Sequence, residues 1–178
     1  KNEMHFENEI KIESIVPKIY LNKVINAIIK SHPYEEVAYD VYSLKNKNPN
    51  FGAGIVGNFN KPVTLTYFLE MLKEKFKLSV IRHNSVRQNV EIQSVAYCGG
   101  SGSFLIPDAI KHKADILVTA DLKYHDFFDY SNSLILADIG HFESEQFIQD
   151  ILFDVLTKKF PKFAVLKTKL CSNPIYYF

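Results

Sequence analysis

His141 and Glu145 lie four residues apart in the segment Gly140-His-Phe-Glu-Ser-Glu145. On a helix that spacing turns both side chains the same way, so an imidazole nitrogen and a carboxylate oxygen can converge on one divalent cation. Two donors do not make a site. Further donors would have to come from elsewhere in the chain or from a part that is missing. A plainer reading fits the spacing better: Glu143 and Glu145 favour the positive end of a helix and His141 caps it.

The surrounding pattern supplies the elements that would hold these residues. Leu134 to Ala137 reads as a buried strand, and Gly140 permits a tight bend. Phe147, Ile148, Ile151, Leu152 and Val155 then recur at helical spacing, giving an amphipathic helix that ends near Phe160-Pro161. Upstream, Ile116 to Val118 forms another apolar run leading into Thr119-Ala-Asp-Leu-Lys-Tyr-His-Asp126. Polar residues at the end of an apolar strand are where open α/β sheets place ligand groups.

The chain has 178 residues, a formal net charge of +1 and an apolar fraction sufficient for a core. Its lysines are scattered among acids, which gives no reason to expect nucleic acid or an acidic membrane surface as partner. Cys98 and Cys171 form no metal-binding pair, consistent with a reducing, cytoplasmic setting. No apolar run is long enough to span a bilayer, and Lys1 to Ile10 lacks the apolar region of a signal peptide. Position 1 is not methionine, so the chain is expected to be a fragment.

From the amino terminus, the alternation over Ile10 to Val16 predicts a strand ended by Pro17. Leu21, Val24, Ile25, Ile28 and Ile29 predict a helix stopped at His32-Pro33, and Val37 to Tyr42 predicts a second strand. The polar stretch Asn46 to Asn50, with Pro49, marks a boundary. Gly52, Gly54 and Gly57 surround a short strand at Ile55-Val56, and Thr64 is a candidate N-cap for a helix burying Leu65, Phe68, Leu69, Leu72 and Phe76. Leu78 to Ile81 and Val95 to Cys98 read as strands, joined by a polar connection with Arg82, His83 and Arg87. Gly99 to Ser103 reads as a glycine turn before a helix over Phe104 to His112. Phe163 to Leu166 reads as a last strand, and Ser172-Asn-Pro174 as a turn. Strands and helices alternate, the pattern of an α/β layered fold with a largely buried sheet.

Several of these segments carry a family resemblance. Gly140-His-Phe-Glu-Ser-Glu145 resembles the Gly-His-Tyr-Glu-Ser-Glu signature of the NIF3-like (DUF34) family, often named GTP cyclohydrolase 1 type 2 homologues. Ala96-Tyr-Cys-Gly-Gly-Ser-Gly102, Ala114 through His125 and Ser172-Asn-Pro174 resemble other family segments in the same order. Ser31-His-Pro-Tyr-Glu-Glu-Val-Ala-Tyr-Asp-Val-Tyr42 resembles the insert of some bacterial members, a small PII-like or CutA-like domain of ferredoxin-like topology. Ala120 stands where the family usually has glycine, and Phe142 where it has tyrosine.

The resemblance implies residues 1–50 as part of that insert and residues 51–178 as the carboxy-terminal half of a NIF3-like α/β domain. It also implies that His141 and Glu145 match metal ligands, with the others in a half that is absent, and that the intact protein is a hexameric ring holding two divalent ions per chain. Zinc, manganese, iron and cobalt are not distinguished. Asp121, Tyr124 and His125 match a pocket-lining motif, in which His125 would be a proton shuttle and Asp121 an orienting acceptor. The implied activity is that of a metal-dependent hydrolase, with a nucleotide or another small molecule as substrate. The alternative is a metal-binding regulatory protein whose insert senses a small molecule without turnover. Among the remaining candidates, His32, Glu35 and Glu36 read as a helix end with solvated glutamates and a packed Tyr34. His5, His83 and His112 read as surface residues, and Cys98 reads as a buried core residue rather than a nucleophile.

Overall fold

The computed structural model describes residues 8–46, 48, 51–86 and 89–177. His5, Pro49, Asn50 and Arg87 lie outside the described residues. The chain divides into two compact units, Lys1–Lys47 and Asn48–Phe178.

In the first unit a short 3-10 turn at Lys18–Tyr20 leads into helix α1, Leu21–Ser31. The helix ends where His32 turns extended before Pro33, as the sequence predicts. The two predicted strands do not form: neither Ile10 to Val16 nor Val37 to Tyr42 is a strand. Alternation gives a segment two faces, but a strand exists only through ladder hydrogen bonds, and no described segment of this unit supplies a partner. Tyr34 is exposed rather than packed in a core, its ring edge-on to His32 at 5.1 Å.

The second unit is built on a five-stranded sheet of order β1-β3-β4-β5-β2. Its strands are β1 (Ile55–Thr64), β2 (Arg82–His83), β3 (Glu91–Ser101), β4 (Ile116–Ala120) and β5 (Ile135–Asp138). β3, β4 and β5 run parallel, while β1 and β2 close the edges antiparallel. Among the described residues, five α-helices of this unit alternate with them or follow: α2 (Leu65–Phe76), α3 (Ile106–Lys111), α4 (Tyr124–Asp129), α5 (His141–Glu145) and α6 (Ile148–Lys159), with a 3-10 turn at Ser103–Leu105 before α3.

β4 is buried along its whole length, so its side chains must be apolar on both faces. Ile116 and Val118 point into one core with Leu65, Phe68 and Leu72 of α2, whereas Leu117 points into another with Ile106 and Ala109 of α3. The result is a three-layer α/β unit with the sheet in the middle. Burying each of the three α2 side chains contributes about 1.5–3 kcal/mol. The hydroxyl of Thr64 accepts the Tyr67 N–H at 3.3 Å, which makes it the N-cap that the sequence predicts.

Four expectations need correction. β1 is ten residues long, not the short strand at Ile55-Val56, because β3 gives it a partner over its length. The strand predicted at Leu78 to Ile81 lies instead at Arg82–His83, where the backbone meets Asp138 and Ala137 of β5. Phe163 to Leu166 forms no strand, since no sheet edge pairs with it. The helix expected after Gly140 is broken into α5 and α6 at Gln146-Phe147, and the apolar stripe of α6 is not buried: Ile148, Ile151, Leu152 and Val155 are exposed. Among the described residues, no helix is long and apolar enough to cross a membrane.

Candidate functional site

Parallel pairing of β4 with β5 sets Thr119 opposite Asp138, so both strands end side by side and the loops beyond them meet. After β4 the backbone enters the left-handed region at Asp121, φ 57°, which aspartate tolerates better than most residues. After β5 it turns at Gly140, φ 87°, and enters α5 with His141 in its first position. Gly140 is the N-cap and no side-chain bond caps α5, so His141 is not a cap. The two loops bring Asp121 Oδ2 within 2.6 Å of His141 Nδ1.

Asp138, buried at the end of β5, fixes both loops. Its Oδ2 accepts the Leu122 N–H at 3.0 Å, its Oδ1 accepts the Gly140 N–H at 3.0 Å, and Arg82 pairs with the same carboxylate. One side chain therefore holds the residue after Asp121 and the residue before His141. Arg82 Nη2 also donates to the Leu122 carbonyl at 3.1 Å.

On α5, the i to i+4 spacing sets His141 Nε2 3.5 Å from Glu145 Oε2. The helix is fastened to β3 through Ser144, whose buried hydroxyl donates to the His141 carbonyl and accepts the Gly100 N–H, each at 2.8 Å. Tyr97 donates its hydroxyl proton to the Ser144 carbonyl at 2.7 Å, and Thr119 donates to the Gly100 carbonyl at 3.0 Å. Here the glycine run is not the turn that its composition predicts. Gly99, Gly100 and Ser101 belong to β3, which slips register against β4 between Tyr97 and Ser101. Gly100 is left-handed there, φ 63°, and a Cβ on it would stand 2.6 Å from Glu145 Oε1 and 3.2 Å from His141 Nε2. A side chain at position 100 would fill the space in which the two donors converge.

The His141 imidazole is held above its usual pKa, chiefly by its hydrogen bond to Asp121, with burial opposing and the charges of Asp121 and Glu145 adding. His141, Asp121 and Glu145 are each about half exposed, at 49%, 49% and 52%. Burial, then the Glu145 charge, pushes the buried Cys98 thiol up, while a hydrogen bond with Thr119 pulls it down; the net rise disfavours the thiolate that nucleophilic chemistry needs. Tyr97 is likewise raised, first by burial.

The arrangement leaves His141 Nε2 and the Glu145 carboxylate facing one space, with Nδ1 committed to Asp121. A carboxylate on the far nitrogen of an imidazole is the usual support of a metal-binding histidine. The donor chemistry and the glycine-lined space fit a divalent cation, but the described residues hold no group of three or more His, Cys, Asp or Glu able to bind one. His125 is exposed on α4, its ring edge-on to Tyr124 at 5.6 Å, and it makes no hydrogen bond or ion pair with His141, Asp121 or Glu145. Glu143 turns the other way and accepts from Asn173 Nδ2 at 3.3 Å. Glu35, Glu36, His83 and His112 are exposed, and His32 lies at the end of α1.

Sequence reasoning assigns no role in this site to Asp138, Ser144, Gly100 or Arg82. Two signals were available. A glycine inside a strand marks a close approach, and an aspartate ending a buried strand needs partners for its charge.

The Duf34/NIF3 (NGG1p interacting factor 3) family model matches residues 3–174. The chain is 38% identical over 139 residues to the GTP cyclohydrolase 1 type 2 homolog of Halalkalibacterium halodurans, covering 78% of this chain and 37% of that protein. Its likeness to the protein of the same name from Staphylococcus epidermidis is 29% over 178 aligned positions, covering 98% of this chain and 48% of that one. The chain thus spans less than half the length of these relatives. Among solved structures, a Bacillus cereus protein related to NIF3 superposes with TM-score 0.73 at 32% identity, over 92% of this chain and 46% of its own. Staphylococcus aureus protein SA1388 gives TM-score 0.71 at 24% identity, over 94% of this chain and 55% of its own, a likeness of fold alone. With the family model spanning nearly every residue and the three-layer sheet repeated in a NIF3-related structure, the chain belongs to the Duf34/NIF3 family.

Proposed function

We propose that this chain contributes His141 and Glu145 to the divalent-metal centre of a metal-dependent hydrolase. The observation that carries the reading is the Asp121–His141–Glu145 line, 2.6 Å and 3.5 Å between neighbours, facing a wall kept open by Gly100. The relatives' name, GTP cyclohydrolase 1 type 2 homolog, supports hydrolysis and a nucleotide substrate without fixing either for this chain. The remaining donors come from the part of the full-length protein that this chain does not span. Two ions per chain in a hexameric ring, residues 1–50 as part of a PII/CutA-like insert, and a cytoplasmic location complete the proposal.

In this scheme Asp121 accepts the Nδ1 proton of His141, which fixes the tautomer and leaves the Nε2 lone pair free. Glu145 supplies a carboxylate oxygen beside it, and Ser144 keeps both on the β3 side. His125, exposed beyond the Asp121 loop, exchanges protons with solvent through its ring nitrogens. A divalent cation supplies Lewis-acid polarisation of a carbonyl, imine or phosphoryl group and a water acidic enough to react near neutral pH.

Elemental analysis of this chain and of its full-length protein, each with and without His141→Ala, tests the proposal. The full-length protein should carry about two ions per chain, this chain almost none after dialysis, and His141→Ala should lower the full-length content. Tight stoichiometric metal in this chain, or a full-length protein that stays metal-free after supply with zinc, manganese, iron and cobalt, refutes it.

A further inference from the structure

We propose that the cleft between β2 and α4 binds small organic anions that carry an aromatic ring, and that it is the substrate-holding side of the candidate metal site. The second part rests on the metal reading above, while the first stands without it. Ile81, Arg82, His83, Tyr124 and Phe127 line an open cleft of about 440 Å³. That volume suits a small molecule rather than a macromolecular segment.

Arg82 gives the cleft its anion chemistry. Its guanidinium carbon lies 5.5 Å from the centre of the Phe127 ring, and both of its hydrogen bonds to described residues, to Leu122 and Asp138, use Nη2. The Nε and Nη1 protons are left over on a side chain that is 58% exposed. A guanidinium with these N–H groups left over can donate them to a carboxylate or phosphate. His83 also lines the cleft. Tyr124 is 76% exposed, and among the described residues its ring partner is the exposed His125. A large aromatic face left in water beside a fixed cation matches a ligand with a flat ring and an anionic group, because neither a simple ion nor an apolar molecule uses both features.

The cleft is joined to the site by bonds already described. Arg82 holds the Leu122 carbonyl, one residue after Asp121, and pairs with Asp138, which holds the Gly140 N–H, one residue before His141. An anion that pulls on Arg82 therefore acts on both loops of the site.

Backbone-amide NMR of the whole chain, treated with EDTA, tests the first part with phenyl phosphate and benzoate as probes and phenol and inorganic phosphate as controls. Phenyl phosphate or benzoate should shift the Arg82, His83, Tyr124 and Phe127 amides saturably, with phenol and inorganic phosphate at least about five-fold weaker. Tyr124→Ala should weaken binding about five-fold, and Arg82→Lys, which keeps the charge but loses the fork, about ten-fold. Because EDTA removes any metal, a failure of the metal reading does not touch this result. No saturable shift at these residues, phenol binding as tightly as the anions, or undiminished binding in Tyr124→Ala would each overturn the proposal. If Arg82→Lys does not fold, Tyr124→Ala decides. For the second part, zinc should change the phenyl phosphate affinity of the full-length protein and not of its His141→Ala variant; an unchanged affinity in the full-length protein severs the cleft from the metal site.

Discussion

Replacing Gly100 with alanine separates the cost of folding from the cost to the site. The residue is left-handed, so alanine there carries a backbone penalty of about 1–2 kcal/mol. Its methyl carbon would stand 2.6 Å from Glu145 Oε1, the free end of a half-exposed side chain that can swing aside at little cost. The bonds with the Ser144 and Thr119 hydroxyls use the backbone N–H and carbonyl of Gly100 and survive. Urea unfolding of Gly100→Ala should therefore show a loss of about 1–2 kcal/mol. The departure of Glu145 from His141 should weaken metal binding at the pair by at least about ten-fold, followed in this chain by the His141 ring resonances during zinc titration. Gly57→Ala is the matched control: it lies in β1, has negative φ and no atom within 4 Å of the added carbon, and should change neither quantity adversely. Native zinc affinity in Gly100→Ala, with Glu145 unmoved, refutes the idea that this glycine keeps the donors together.

Asp121→Asn should return the His141 pKa toward its ordinary value in an NMR titration. Because the folded value is raised above 6.5, His141 stabilises the metal-free chain fully below pH 6.5 and loses that contribution as pH rises through the raised value. The drop in urea midpoint between pH 6 and pH 8 should thus be smaller in Asp121→Asn than in the native chain; an equal drop refutes the assignment. Asp138→Ala should cost about 2–4 kcal/mol in the same assay, since it orphans two N–H groups and a paired guanidinium, the latter discounted for its exposure. Thr64→Ala, by removing one cap, should cost about 1 kcal/mol, and a change below the error of the measurement would show that the Tyr67 bond contributes nothing.

The second unit was the more legible because its signals are local and strong. An apolar run such as Ile116 to Val118 has few fates other than a strand buried on both faces, and Thr64 sits directly before the stripe that it caps. What failed was partnership. Ile10 to Val16 and Phe163 to Leu166 have strand-like residues without a described ladder, and the stripe of α6 has helical spacing without a face to meet. At the site, His141 and Glu145 are visible because i to i+4 spacing is written in the chain. Asp138, Arg82 and Gly100 are not, since their roles depend on parallel pairing of β4 with β5 and on a register slip in β3. A turn and a strand that slips beside a donor pair share one composition, glycine and serine, so composition cannot separate them.

The strand order also dictates when this site can exist. β2 is made before β3 but pairs with β5, and Arg82 meets Asp138 only across a sequence separation of 56. Closing such a span costs on the order of 3.5 kcal/mol in chain entropy, against a return of only two paired positions in β2. Growth of the sheet from β3 through β4 to β5 must come first, and the edge strand is added last. On a ribosome, Arg82 emerges long before its carboxylate and remains without it until the end of β5 is clear of the tunnel. In refolding kinetics, changes at Arg82 should accelerate unfolding while leaving the folding rate nearly untouched, the mark of a contact made after the barrier.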